Sequence, residues 1–103
     1  MVKKGIYIPD KGDIVWLNIN PQSGHEQMGK RPAIVISPRK YNEKTKLVLF
    51  CPITSKIKNY PFEVIIKIDK INGVILSDQI NSLDWIERKI KFIEKSKKHL
   101  GLL

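Results

Sequence analysis

The sequence predicts a mainly β protein, a small closed or half-closed barrel built from six or seven short strands. Three observations predict it. Short runs rich in Ile, Val, Leu and aromatic residues recur along the whole chain, and Gly, Pro, Asn and Lys-rich turns punctuate them. No repeat, linker or compositional break divides the chain. With 103 residues, 42% of them hydrophobic, the chain suffices for one core, so a single domain over 1–103 is expected.

Each element follows from local signals. Lys11-Gly12-Asp13 is a turn, and Ile14 to Ile19 is a β-rich first strand. A polar connection follows, in which Gly24 and Gly29 allow sharp backbone turns beside His25, Glu26 and Arg31. Pro32 fixes φ and is expected to start the second strand, Ala33 to Ser37, leaving Arg31 where a loop meets a rigid element. Lys46 to Thr54 is the third strand; Pro52 lacks an N–H and requires an edge or a bulge. After the turn Lys56 to Tyr60, Phe62 to Lys67 is a strand, and Asn72-Gly73 reads as the turn into Val74-Ile75-Leu76. Ile80 to Trp85 and Arg88 to Glu94 complete the set. Ser96 can N-cap a helix beginning at Lys97, which runs out at Leu103.

Composition narrows the functional classes. The longest apolar runs are too short to span a bilayer, and Met1-Val2-Lys3-Lys4-Gly5 lacks the apolar stretch of a secretory signal, so a cytoplasmic protein is expected. Cys51 has no intrachain partner and, within a β run, reads as a small buried hydrophobe. His25 and His99 lie far apart and no ligand spacing recurs, so neither a metal nor another cofactor is expected. Nineteen Lys plus Arg against ten Asp plus Glu leave a net charge of +9. That excess favours a polyanionic partner through counterion release, or reflects a compositional bias. Lys30-Arg31, Arg39-Lys40, Lys44/Lys46 and Lys56/Lys58 cluster in expected turns and strand ends, where loops on one side of a barrel can bring them together.

The ordered set Pro9-Asp10-Lys11-Gly12-Asp13-Ile14-Val15-Trp16, Gly24-His25-Glu26-Gln27, Arg31-Pro32-Ala33, Ser37-Pro38, Tyr41-Asn42, Pro52-Ile53-Thr54-Ser55, Tyr60-Pro61-Phe62-Glu63-Val64 and Asp78-Gln79 resembles the MazF/PemK (Kid) family of bacterial toxin endoribonucleases. The resemblance runs from Pro9 to Trp85. It implies an SH3-like barrel with a few short helices, usually a homodimer, ending in an amphipathic helix that is expected to be short here, by truncation or by natural loss. It also implies the toxin of a type II toxin-antitoxin pair: a metal-independent, sequence-specific endoribonuclease that cuts single-stranded mRNA and leaves 2′,3′-cyclic phosphate and 5′-OH ends. The implied partner is a MazE-like antitoxin, a dimeric DNA-binding protein whose acidic, disordered tail covers the RNA groove.

Such cleavage needs the ribose 2′-OH deprotonated, charge stabilised on the phosphorane, and a proton for the 5′-oxygen. Arg31 and Thr54 match the arginine and threonine that the family implicates, and a guanidinium suits a phosphate because it offers a planar fork of donors. His25 is either the proton-transfer group or an exposed loop histidine. Glu26 is a base, an orienting partner of Arg31, or half of a loop-stabilising pair. Asp78 matches a carboxylate proposed as base in PemK-type members, but Leu76 replaces the arginine that accompanies it there. A strand-end Asp capping backbone amides is the preferred reading.

Gln27, Lys30, Ser55, Lys56, Lys58, Tyr60, Asp78 and Gln79 are the expected RNA-binding residues. Tyr60 and Phe62 beside two lysines would let a base stack while its phosphates are held, although Phe62 can equally pack under the loop. Trp16 reads as core or interface, and Trp85 is undecided. Two other classes compete: a gyrase-poisoning toxin of the CcdB type, disfavoured by the ending His99-Leu100-Gly101-Leu102-Leu103, and a non-catalytic RNA-binding barrel, which lacks a use for Arg31 and Thr54.

Overall fold

A computed structural model describes residues 6–18, 30–68 and 71–96. Seven strands and one helix follow in the order β1 (Asp13–Asn18), β2 (Lys30–Val35), α1 (Arg39–Thr45), β3 (Leu47–Thr54), β4 (Glu63–Lys67), β5 (Asn72–Leu76), β6 (Asn81–Asp84) and β7 (Lys91–Lys95). The strands form one antiparallel sheet, β4-β5-β3-β2-β1-β7, with β6 also paired to β3. It curls into the expected half-closed barrel. No helix among the described residues is long and apolar enough to cross a membrane.

Both faces of the sheet are buried, and strand alternation divides the core in two. Ile14, Ile34, Ile36, Cys51, Ile53, Ile66 and Ile75 pack on one face with Trp16 and Val64 partly buried against them. Val15, Leu17, Ala33, Val35, Val48 and Phe50 pack on the other beneath Trp85, Tyr7 and Ile8. Cys51 is thus a core residue, as its setting predicts, and burial, followed by the Asp78 carboxylate, pushes its thiol up. Trp85, undecided from sequence, is buried and donates its indole N–H to the Asn42 carbonyl at 2.8 Å.

Short helices were expected but none was placed at 39–45; Arg39, Lys40 and Lys44 therefore lie on a helix and Lys46 at its left-handed C-cap, not in turns or strand ends. Its anchor is Asn42, wholly buried, whose Nδ2 donates to the carbonyls of Pro9 (2.8 Å) and Ser37 (3.0 Å) while its Oδ1 accepts the Ser37 hydroxyl. Every polar group of that side chain is satisfied, as burial requires. The helix has no cap of its own at Pro38; Asp10 accepts the Arg39 N–H at 3.0 Å instead. Nearby, Tyr7 donates to buried Asp13, which also pairs with Lys95 at 2.8 Å, tying the N-terminal segment to β7.

Two further expectations are corrected. Asn72-Gly73 is not a turn but the start of β5, because Ile68 and Ile71 exchange both backbone bonds and close the hairpin before it. Gly73 has another reason to be glycine: a Cβ there would lie 2.2 Å from the Thr54 carbonyl oxygen. Pro32 does not start β2 but lies inside it, opposite Trp16, so Arg31 is a strand residue. The proposed C-terminal helix from Lys97 lies outside the described residues.

Candidate active site

Two prolines in adjacent strands open the sheet where the candidate catalytic residues stand. Ile36 N–H donates to Leu49 O at 2.9 Å, and antiparallel bonding alternates along the β2–β3 register. Counting back, Pro32 occupies a position whose N–H would point at β3. It has none, and the ladder ends at Ala33↔Pro52. By the same count the missing N–H of Pro52 faces away from β2. There the pairing of β3 passes from β6 to β5, and residues 76–80 stand against only Cys51 and Pro52. Of the edge or bulge that the sequence requires at Pro52, this excursion supplies the bulge.

Arg31 and Thr54 each lie two residues beyond the last β2–β3 pair, and Thr54 in turn faces Val74 and Val74 faces Ile65. Arg31 and Thr54 line one cavity of ≈ 510 Å³ together with Pro32, Pro52, Ser55, Asn72, Leu76, Gln79 and Asn81. A second cavity of ≈ 190 Å³ is lined by Lys56, Lys58, Tyr60, Phe62 and Glu63, and shares Thr54, Leu76 and Gln79 with the first. The two cavities therefore adjoin across Thr54, Leu76 and Gln79, and together form the candidate groove. Thr54 Oγ1 accepts the Lys56 N–H at 3.2 Å, so the backbone occupies an acceptor lone pair and leaves the hydroxyl proton to donate elsewhere.

The groove thus brings together Arg31, Thr54, Ser55, Lys56, Lys58, Tyr60 and Gln79 of the residues singled out from sequence. Lys30, exposed and paired with Asn18, and Asp78, exposed in the 77–78 turn, line neither cavity. Among the described residues no backbone amide donates to Asp78, against the capping role expected of it. Gln79 N–H to Leu76 O and the Ser77 bonds to Phe62 O hold that excursion instead. His25, Glu26 and Gln27 lie outside the described residues; in the chain they fall between Asn18 and Lys30, which pair one step from Arg31.

Tyr60 is half exposed and its ring meets that of Phe62 at 5.2 Å, tilted by 38°. The pair offers an aromatic surface on the groove, Tyr60 outward and Phe62 partly buried under the loop. Sequence reasoning missed Glu63 and Gly73. Glu63 follows a Pro-Phe turn and accepts backbone N–H groups of the preceding loop; the left-handed Asn59 (φ 63°) is its only sequence trace.

The chain is similar to known proteins over most of its length. Residues 10–100 match the family described as the PemK-like, MazF-like toxin of type II toxin-antitoxin systems. The endoribonuclease toxin MazF of Escherichia coli (strain K12) is 46% identical over 82 residues, 80% of this chain and 74% of that protein. A crystal structure of MazF from Deinococcus radiodurans superposes with a TM-score of 0.78 at 48% identity, covering 88% of this chain and 84% of that one. A MazE-MazF structure from the same organism gives 0.76 at 41% identity, covering 88% and 82%. With most of its length matched to the family and 46% identity to a relative over 82 aligned residues, the chain belongs to the PemK-like, MazF-like toxin family.

Proposed function

We propose that the chain is the endoribonuclease toxin of a type II toxin-antitoxin pair, cutting single-stranded mRNA at a short sequence without a metal and thereby arresting translation. One observation carries this reading: Arg31 and Thr54 stand on adjacent strands over one cavity, continuous with a wall bearing Lys56, Lys58 and Tyr60. The relatives bearing endoribonuclease names support it.

In this mechanism the guanidinium of Arg31 donates to the non-bridging oxygens of the scissile phosphate and stabilises the charge of the phosphorane. Thr54 adds its free hydroxyl proton to the same oxygens. The ribose 2′-oxygen attacks phosphorus, the bond to the 5′-oxygen breaks, and the products are a 2′,3′-cyclic phosphate and a 5′-OH. His25 and Glu26 supply the two proton transfers. Lys56 and Lys58 hold flanking phosphates, Tyr60 stacks on an unpaired base, and Ser55, Gln79, Gln27, Lys30 and Asp78 complete the contacts.

The same reading gives a cytoplasmic homodimer, for which Ile65, Ile86 and Phe92, each about half exposed or more, offer apolar surface. It also gives a MazE-like antitoxin, whose acidic tail complements the net charge of +9; the Deinococcus MazE-MazF structures support that partner. The test is incubation of the purified protein with a long single-stranded RNA in EDTA, followed by mapping of the ends. Cuts at one short sequence with cyclic phosphate ends are expected. Activity that stops on chelation and returns with a divalent ion sinks the reading, as does cutting of a substrate with a 2′-deoxy nucleotide at the cleaved position.

A further inference from the structure

A groove read as binding RNA should not carry a carboxylate in its wall, yet Glu63 lines the second cavity among the lysines. Its oxygens are engaged. Oε1 accepts the Asn59 N–H at 2.9 Å and the Lys58 N–H at 3.2 Å, and Oε2 also accepts Lys58 at 3.2 Å. Asn59 lies in the left-handed region, so two successive N–H groups converge on one point. Such a pair forms a concavity for an anion, and here the protein's own carboxylate fills it.

These bonds span the β3–β4 connection. Residues 55–61 are exposed, and among the described residues their other hydrogen bonds are Lys56 N–H to Thr54 and Glu63 N–H to Tyr60 O at 3.1 Å. The far end is fixed where Ser77 Oγ donates to the Phe62 carbonyl at 2.5 Å. The Glu63 carboxylate therefore ties the backbone of Lys58 and Asn59, between Thr54 and Tyr60, to the start of β4.

We propose that Glu63 is a positioning residue for RNA binding: its carboxylate clamps the backbone of Lys58 and Asn59 and so places Lys58 and the adjoining Tyr60. The inference rests on the RNA-cleaving reading and names what shapes its cationic wall. Charge counting and clamping predict opposite signs. Removing a negative charge from a polyanion site tightens binding by electrostatics alone, whereas releasing the loop adds an ordering cost and weakens it.

The experiment compares the parent protein with Glu63→Gln, Glu63→Ala, Lys58→Ala and the Lys58→Ala/Glu63→Ala double variant. The probe is a single-stranded oligoribonucleotide containing the mapped cut site, with a 2′-deoxy nucleotide at the cleaved position, followed by fluorescence anisotropy. Glu63→Ala should weaken binding roughly tenfold, with Glu63→Gln, which keeps one acceptor oxygen, in between. The single-turnover rate at saturating all-ribose RNA should stay within about twofold, since only binding is touched. Lys58→Ala should cost little more in the Glu63→Ala background, because the lysine is already misplaced. The Lys58 and Asn59 amides should exchange hydrogen faster while melting remains cooperative.

Variants that bind as tightly as a binding parent, or tighter, overturn the assignment alone; so does full additivity with Lys58→Ala. If Glu63→Ala fails to fold, the sign of the Glu63→Gln effect decides. A parent that neither binds nor cuts RNA overturns the functional reading and this inference together.

Discussion

Arg31 and Thr54 line the same cavity from β2 and β3, each two residues past the Ala33↔Pro52 pair at which the ladder between those strands ends. Strands that part at the end of their ladder leave their side chains over a gap instead of over a closed sheet. The missing N–H of Pro32 produces that gap. The two groups are thereby held by rigid strands on one side and reach an open cavity on the other, as preorganised donors must.

Deletion of either donor should therefore act on the cleavage step. Arg31→Ala should lower the single-turnover rate at saturating RNA by roughly two to three orders of magnitude, as for loss of a preorganised oxyanion donor. Thr54→Val, which removes a neutral donor, should cost less. Equal rates for Arg31→Ala and parent under those conditions would place the reacting phosphate elsewhere.

Acid should weaken the bond from Asp10 that caps the start of α1. Burial opposes ionisation of Asp10, but the N–H groups of Arg39 and Lys11 and the Lys95 ammonium outweigh it and hold the carboxyl below its ordinary value of 3.8. A carboxyl lowered on folding contributes stability that is fully present above the unfolded value and is lost as pH falls through the folded one. Asp10→Ala should cost at most about 1 kcal/mol at pH 7, a helix-cap loss discounted for a side chain that is nearly half exposed. Its melting deficit relative to the parent should shrink below about pH 4. A deficit of the same size at pH 3 and pH 7 would show that the charge does not matter.

How much of this was legible depended on whether a residue acts through its own pattern or through its neighbours. Period-two apolar runs located most strands to within a few residues, and Pro52 demanded an edge or a bulge, of which the 76–80 excursion supplies the second. Arg31 and Thr54 were identified through their motif; their juxtaposition follows from a register that no local signal states. Helix α1 escaped notice because its seven residues carry no side-chain cap and one buried side chain, Asn42, whose partners are Pro9 and Ser37. Asn72-Gly73 looked like a turn because glycine after asparagine usually is one. The chain uses that glycine for a close approach between strands, which only the packing reveals.

That close approach gives the last prediction. At Gly73 a Cβ would meet the Thr54 carbonyl oxygen at 2.2 Å, the Thr54 carbonyl carbon at 2.9 Å and Ser55 Cα at 3.2 Å. All three are backbone atoms, so no side chain can swing aside. Gly73→Ala must push the end of β3 away from β5, and Thr54 moves with it while the Thr54↔Val74 pair is strained. Overpacking of this kind costs about 1–3 kcal/mol, which a folded domain can survive. The variant should melt several degrees lower yet cooperatively, and its single-turnover cleavage should fall by roughly the factor seen for Thr54→Val or more, since a displacement of about 1 Å can cost a hundredfold. Thermal melts read against single-turnover rates decide the matter. A Gly73→Ala protein that is destabilised but cuts at the parental rate would mean that the end of β3 relaxes without carrying Thr54 away from Arg31.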